Sequence, residues 1–330
     1  MKRQSANQQD EGAVLLTTLL VMSLMAILAV AIMDDVRFAV KRSINMQNYA
    51  QADWYSYGLE DFAYSYLSTQ TRAASAEQLN AVLMQDTPIT LPVDGGVLSL
   101  NIRDGSQCFS LGALKDAPGR RQFRVLLTVL GWDASAAARQ TSIAADWIDD
   151  DSQTLPNGAE DYVYLGRDVA HRTANTSFAT IMEIRALEGM DEEKYQRLRP
   201  YLCARKQTEG AALNINTLSP QQAPLLTALL GDEGLYNTAI QLITARPAIG
   251  YENVEQLMNA SLLEGESLVN ANFDALTFKP EHIWVEAEIV YRQARRTMVL
   301  EYTISDNGIK RNFRRVGQEA RRPILKEPVI

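Results

Sequence analysis

Asp146-Trp147-Ile148-Asp149-Asp150-Asp151-Ser152-Gln153-Thr154-Leu155-Pro156-Asn157-Gly158-Ala159-Glu160-Asp161 gathers five Asp and one Glu into 16 consecutive residues. Carboxylates this crowded repel one another unless water or a cation neutralises them. Hard cations such as Ca²⁺ take about six to eight oxygen ligands, which clustered carboxylates and loop carbonyls supply. With Asp149 as position 1, oxygen-bearing side chains fall at positions 3 (Asp151), 5 (Gln153), 9 (Asn157) and 12 (Glu160). That spacing echoes an EF-hand, but Thr154 stands where the EF-hand turn needs Gly, and Pro156 follows closely. The segment is therefore read as a Ca²⁺ loop of another kind, against the competing reading of a solvated acidic loop. Trp147 beside it is expected to anchor a core.

Other chemistry finds little support. His171 and His282 are the only histidines and lie in no zinc-ligand spacing. There is no P-loop, dinucleotide fingerprint or nucleophile elbow. The expectation is a non-enzyme, with a membrane-anchored periplasmic hydrolase using the acidic loop as one rival. A second rival is a membrane-anchored helix-hairpin-helix DNA-binding protein. Ser177–Met190 and Asn214–Ser219 resemble the openings of helix-hairpin-helix or SAM-like units, yet the turn reads Glu188-Gly189-Met190-Asp191. Carboxylates on both sides of that turn repel phosphate, and a formal charge of −8 weighs against nucleic acid as a partner. The late basic residues Lys310, Arg311, Arg314, Arg315, Arg321, Arg322 and Lys326 are read as a solvated tail or a docking strip for an acidic neighbour.

The elements that must position these groups begin with an uncharged apolar run from Ala13 to Met33. Its length, about 21 residues, suffices to cross a ~30 Å hydrocarbon core. A polar leader with Lys2, Arg3, Asp10 and Glu11 precedes it and ends in Gly12, and no small-residue cleavage site follows Met33. Charge leaves the orientation open, since Arg37, Lys41 and Arg42 lie just beyond the span. Val36, Val40 and Ile44, then Tyr55, Leu59, Phe62, Ala63 and Tyr66, carry an apolar helical stripe onward with no Pro before Leu67. One helix of about 80 Å is expected, against two helices joined near Asp34-Asp35. A polar helical stretch follows from Thr71 to Asp86, then turns at Pro88, Pro92 and Gly95-Gly96 and a strand over 97–102. A short strand falls near Cys108–Leu111. Helical patterns cover 121–147, 178–205 and 219–258, with an irregular, polar stretch between the first two. A hairpin of Trp284–Tyr291 and Thr297–Ile304 closes the pattern. Strands flank a helical block, so an α-domain inserted into an α+β domain is expected. Cys108 and Cys203 permit one disulfide, closing a loop of about 95 residues worth roughly 4–5 kcal/mol; two buried thiols are the alternative.

The order of polar leader, Gly and apolar helix resembles the class III signal of type IV pilins and pseudopilins. Taken with Asp146–Asp151, Gly158–Asp161, Asn214–Thr217, Cys108–Leu111 and Pro200–Cys203, the whole chain is similar to the K-type minor pseudopilins of type II secretion systems. The resemblance implies prepilin-peptidase cleavage between Gly12 and Ala13, with N-methylation of Ala13, and supports a Cys108–Cys203 disulfide. It implies calcium in the insertion, with Asp149, Asp151, Glu160, Asp161 and Asn175 as the site residues.

The implied fold class is α+β: a pilin-like fold with a long N-terminal transmembrane helix and antiparallel sheet, interrupted by a large inserted α-helical (SAM/helix-hairpin-helix-like) domain. Its parts are a leader (1–12), a transmembrane helix (13–33), a first pilin-like part (34–105), the insertion (106–278), and a β-hairpin with basic tail (279–330). The implied function is capping and initiating the periplasmic pseudopilus for protein export. Expected partners are I- and J-type minor pseudopilins, other pseudopilins, the inner-membrane platform and the prepilin peptidase. The implied location is the bacterial inner membrane, single-pass, with most of the chain in the periplasm. Partner contacts are expected on the stripe Tyr55, Leu59, Phe62 and Tyr66. Thr17 replaces the Glu that most pilin-like subunits carry five residues into the mature chain, which suits a subunit with no neighbour above it.

Overall fold

A helix without Pro, rich in Leu, Ala and Met, has no reason to break where its apolar run ends, and it does not. The computed structural model describes residues 4–85, 87–205, 212–305 and 308–317, with side chains from Gly12 onward. Helix α1 (Gln4–Ala73) is one 70-residue rod, unbroken at Asp34-Asp35 and running through the Gly12–Ala13 junction. Its large apolar side chains from Val14 to Met33 are all exposed. Among the described residues this is the one helix long and apolar enough to cross a membrane. Ser75 then caps α2 (Ala76–Met84) through a capping box with Gln78, so the polar stretch from Thr71 splits in two. Strands β1 (Ile89–Val93) and β2 (Gly96–Asp104) form a hairpin. Pro88 and Pro92 had marked this stretch as turns. Pro92 is accommodated because β1 is an edge strand, and Asp94-Gly95 is the two-residue loop, with Gly95 at φ 79°.

From Asp104 the chain leaves the sheet and builds a mainly helical unit. Its elements are β3 (Phe109–Ser110), α3 (Ala117–Val129), α4 (Ala134–Asp146), α5 (Asp161–Tyr164), α6 (Glu192–Leu198), β4 (Leu202–Cys203), β5 (Leu213–Asn214), α7 (Ala223–Leu230), α8 (Tyr236–Thr244), α9 (Val254–Met258) and β6 (Leu276–Thr277). The helix expected over 121–147 is two, because Asp133 caps α4 with its own carboxylate. The stretch 178–205 is less helical than its pattern: a 3₁₀ turn over Ile181–Ala186, then α6, then β4. Phe123, Leu126, Trp147, Ile148, Leu226 and Leu229 join one buried cluster that belongs to this unit alone. Cys108 and Cys203 are disulfide-bonded, with Cα atoms 5.8 Å apart, beside the parallel β3–β4 pair.

The chain returns as β7 (His282–Tyr291), β8 (Ala294–Ser305) and β9 (Gly308–Val316), giving an antiparallel sheet of order β1-β2-β7-β8-β9. β9 corrects the expectation of a solvated basic tail over Lys310–Arg315. Its Arg311 and Arg314 both pair with Glu60 of α1, which draws this basic segment onto the domain as a fifth strand. Arg321, Arg322 and Lys326 lie outside the described residues. Leu59, Ala63 and Leu67 of α1 pack on Leu100, Ile283, Val285, Leu300 and Tyr302 in a second buried cluster. The stripe expected to meet partners is therefore mostly internal: Leu59 is buried, and Tyr55 and Tyr66 pack against the same core. The apolar face of the sheet claims it first.

Candidate metal centre

The last turn of α4 delivers Asp146 into the interior, fully buried, and the backbone of Trp147 and Ile148 carries the chain on to Asp149. Trp147 packs against Tyr164, Phe178 and His171, with ring centroids 5.2, 6.5 and 6.0 Å away, and so floors the loop. This is the core anchor expected of it. The loop then folds back over Asp146. The Leu155 N–H reaches both Asp146 carboxylate oxygens at 3.1 and 3.3 Å. Gly158, whose N–H donates to the Leu155 carbonyl at 2.8 Å, passes so close that a Cβ there would overlap Asp146 Oδ2. Glu160, also buried, follows at the start of α5.

One oxygen from each of Asp146, Asp149 and Glu160 lies within 4.8 Å of the other two. Ca²⁺–oxygen bonds of about 2.3–2.6 Å let a single ion bridge oxygens at such a separation. Asp149 Oδ1 and Glu160 Oε1 are buried with no hydrogen-bond partner, a costly arrangement unless a cation satisfies them. Burial, followed by the nearby Asp146, Asp151 and Glu160 charges, pushes the Asp149 carboxyl up to about 6. Burial raises Asp146 and Glu160 as well. Three hard, desolvated, mutually repelling oxygens suit a hard divalent cation better than water.

The remaining expected ligands take different places. Asp151 is exposed, and its Oδ1 accepts the Gln153 N–H at 2.7 Å. Asp161 is turned to Arg172 at 2.9 Å and to the Thr173 N–H at 3.0 Å, and the latter leads in holding its carboxyl below the usual range. Asn175, at φ 45°, presents Oδ1 to the Thr173 hydroxyl at 2.5 Å, and that hydroxyl lies 3.3 Å from Glu160 Oε2. Sequence reasoning left Asp146 out of the ligand set. Its signal was the three-residue step from Asp146 to Asp149, which places both carboxylates on one side of a helix end.

Two family models, each described as Type II secretion system (T2SS), protein K, match residues 100–207 and 213–279. The chain belongs to the type II secretion system protein K family. The protein of that name from Pectobacterium carotovorum subsp. carotovorum is 32% identical over 85% of this chain and 88% of its own length. Its counterpart from Klebsiella pneumoniae is 33% identical over 78% and 82%. A chain in the crystal structure of the GspK-GspI-GspJ complex from enterotoxigenic Escherichia coli superposes with a TM-score of 0.74 at 29% identity, covering 84% of this chain and 99% of that one. A protein K is a structural pseudopilin of the secretion apparatus. At the acidic turn, Glu188 pairs with Arg167 and Asp191 caps α6 by accepting the Lys194 N–H.

Proposed function

We propose that this chain caps and initiates the pseudopilus of a type II secretion system. The observation that carries the reading is the likeness, over nearly all of that chain, to a subunit solved in complex with GspI and GspJ. α1 spans the bacterial inner membrane once, and the bulk lies in the periplasm. The prepilin peptidase cuts between Gly12 and Ala13, whose new amine is methylated. I- and J-type minor pseudopilins dock along the face of α1 that its own sheet leaves free, where Met46 and Trp54 are exposed. These lie eight residues apart on one side, unlike the buried Leu59 stripe, whereas Tyr57 and Tyr64 at the edge of that face touch Arg314 of β9 and Tyr302 of β8. Other pseudopilins and the inner-membrane platform follow below, while the bulk of the inserted unit blocks addition above. Co-purification of the full chain with I- and J-type partners tests this. Met46→Ala with Trp54→Ala should cut recovery of the partners severalfold with the melting temperature unchanged; full recovery overturns the docking face.

The acidic loop of the insertion is proposed to hold Ca²⁺ through Asp146, Asp149 and Glu160, with Asp151 and Asn175 as further oxygen donors at its rim. Asp161 orients Thr173 rather than the ion. When bound, the cation supplies the positive charge that the buried carboxylates lack, and so fixes the loop. Calorimetry on the full chain in detergent should give a micromolar or tighter Ca²⁺ Kd, abolished by Asp149→Asn with Glu160→Gln. Absence of heat would leave a solvated acidic loop.

A further inference from the structure

Arg205 and Glu301 are each only 2% exposed, an ion pair sealed at the junction of the two units. Glu301 belongs to β8 of the sheet, whereas Arg205 comes from the inserted unit, two residues beyond Cys203. The guanidinium is engaged on three sides. Its Nε donates to Glu301, its Nη2 to the Gly105 carbonyl at 2.7 Å where the chain leaves the sheet, and its Nη1 to Cys108 Sγ at 3.5 Å. The disulfide sulfur is thus itself a partner of the arginine that reaches into the sheet.

Ions this deeply buried lose several kcal/mol of hydration each, and recover it only where the geometry is held. The backbone of Arg205 is held besides by the Ser110 hydroxyl, which donates to its carbonyl at 3.4 Å. The β3–β4 pairing spans two residue pairs, Phe109 with Leu202 and Ser110 with Cys203. The Cys108–Cys203 bond ties the strand that ends two residues before Arg205 to the chain just leaving the sheet. We propose that the Cys108–Cys203 disulfide and the Arg205–Glu301 pair form one latch, so that the inserted unit locks onto the sheet only after a disulfide-bearing oxidant has exchanged with the two thiols and left as a dithiol. In the reduced chain Arg205 is free to seek water, and Glu301 is left buried without its guanidinium, facing His282 Nδ1 at 4.0 Å, which loosens the seam while each core stays folded. The latch follows from the geometry alone; only its timing, after export, rests on the periplasmic placement proposed above.

Amide hydrogen exchange on the full chain in detergent micelles reads the seam at His282–Val285 and Leu300–Thr303, and the inserted core at α3 and α7. Cys108→Ser with Cys203→Ser should speed exchange at the seam about tenfold with the core unchanged. Adding Arg205→Met to that variant should change seam exchange by less than about twofold, because the latch is already open. Adding Glu301→Leu as well should slow the seam again, since the carboxylate stranded by the loss of Arg205 is gone. Should the double Ser variant fail to fold, reducing the folded wild type with a phosphine and reading the same amides takes its place. Wild-type exchange at the seam after cysteine loss or reduction overturns the latch. So do cysteine and Arg205 effects that multiply independently.

Discussion

At the scale of single residues, Gly158 and Asp149 make the acidic loop testable. Gly158→Ala sets a methyl group against Asp146 Oδ2, so the loop must shift or the carboxylate must move. The expected cost is about 1–3 kcal/mol in thermal stability, together with weaker Ca²⁺ binding by calorimetry. For Asp149 the folded carboxyl titrates near 6 against 3.8 for an ordinary Asp. A raised carboxylate pKa means the metal-free fold holds the proton more tightly than the unfolded chain does. Its contribution to stability is therefore complete below about pH 4 and is lost as pH rises through about 6. The chelated chain should melt at a lower temperature at pH 7 than at pH 5, and the Ca²⁺-loaded chain should lose affinity as pH falls across the same window. A pH-independent melting temperature after chelation would argue against this. Asp149 and Glu160 were legible because carboxylates that crowd in sequence are hard to separate in space. The service of Asp161 to Arg172 and Thr173 was not, since those partners are defined by how the loop folds.

Among the elements, α1 and the β7–β8 hairpin could be read from periodicity because each repeats its pattern for many residues. β1 and β9 could not. Pro88 just before it and Pro92 within it disguise β1, and its edge position makes Pro92 harmless. The many charges of β9 mimic a tail, and they make sense only once Glu60 is seen beneath Arg311 and Arg314. Glu60 is itself 7% exposed, so its carboxylate depends on those two cations as much as they depend on it. Glu60→Gln should cost about 2 kcal/mol and show first as faster amide exchange over 308–316, with β7 and β8 still protected. Even loss across the whole sheet would mean β9 is held by its ladder alone. The segment 178–205 misled for a different reason. Its apolar spacing arises from a 3₁₀ turn, one short helix and a two-residue strand that feed the same core, and spacing does not distinguish these from one broken helix.

For the molecule as a whole, Thr17 marks where the rod would otherwise carry an acid. Its hydroxyl is spent on the Val14 carbonyl at 2.9 Å, inside an apolar exposed helix. Thr17→Glu places a carboxylate there without a partner, and recovery of this subunit in isolated pseudopili should fall severalfold. Undiminished incorporation and secretion would remove the link between Thr17 and the tip. The placement of the helical insertion has a consequence of another kind. β2 and β7 are sheet neighbours paired from Asp104–Ile283 to Gly96–Tyr291, yet about 180 residues separate their facing ends. Zipping them across an unfolded stretch of that size costs about 3 kcal/mol more closure entropy than a tight turn would. If the insertion collapses first, it brings Asp104 and His282 together and that cost shrinks toward a short loop's. The cheaper order of events is thereby guest before host, with the sheet closing around a finished insert.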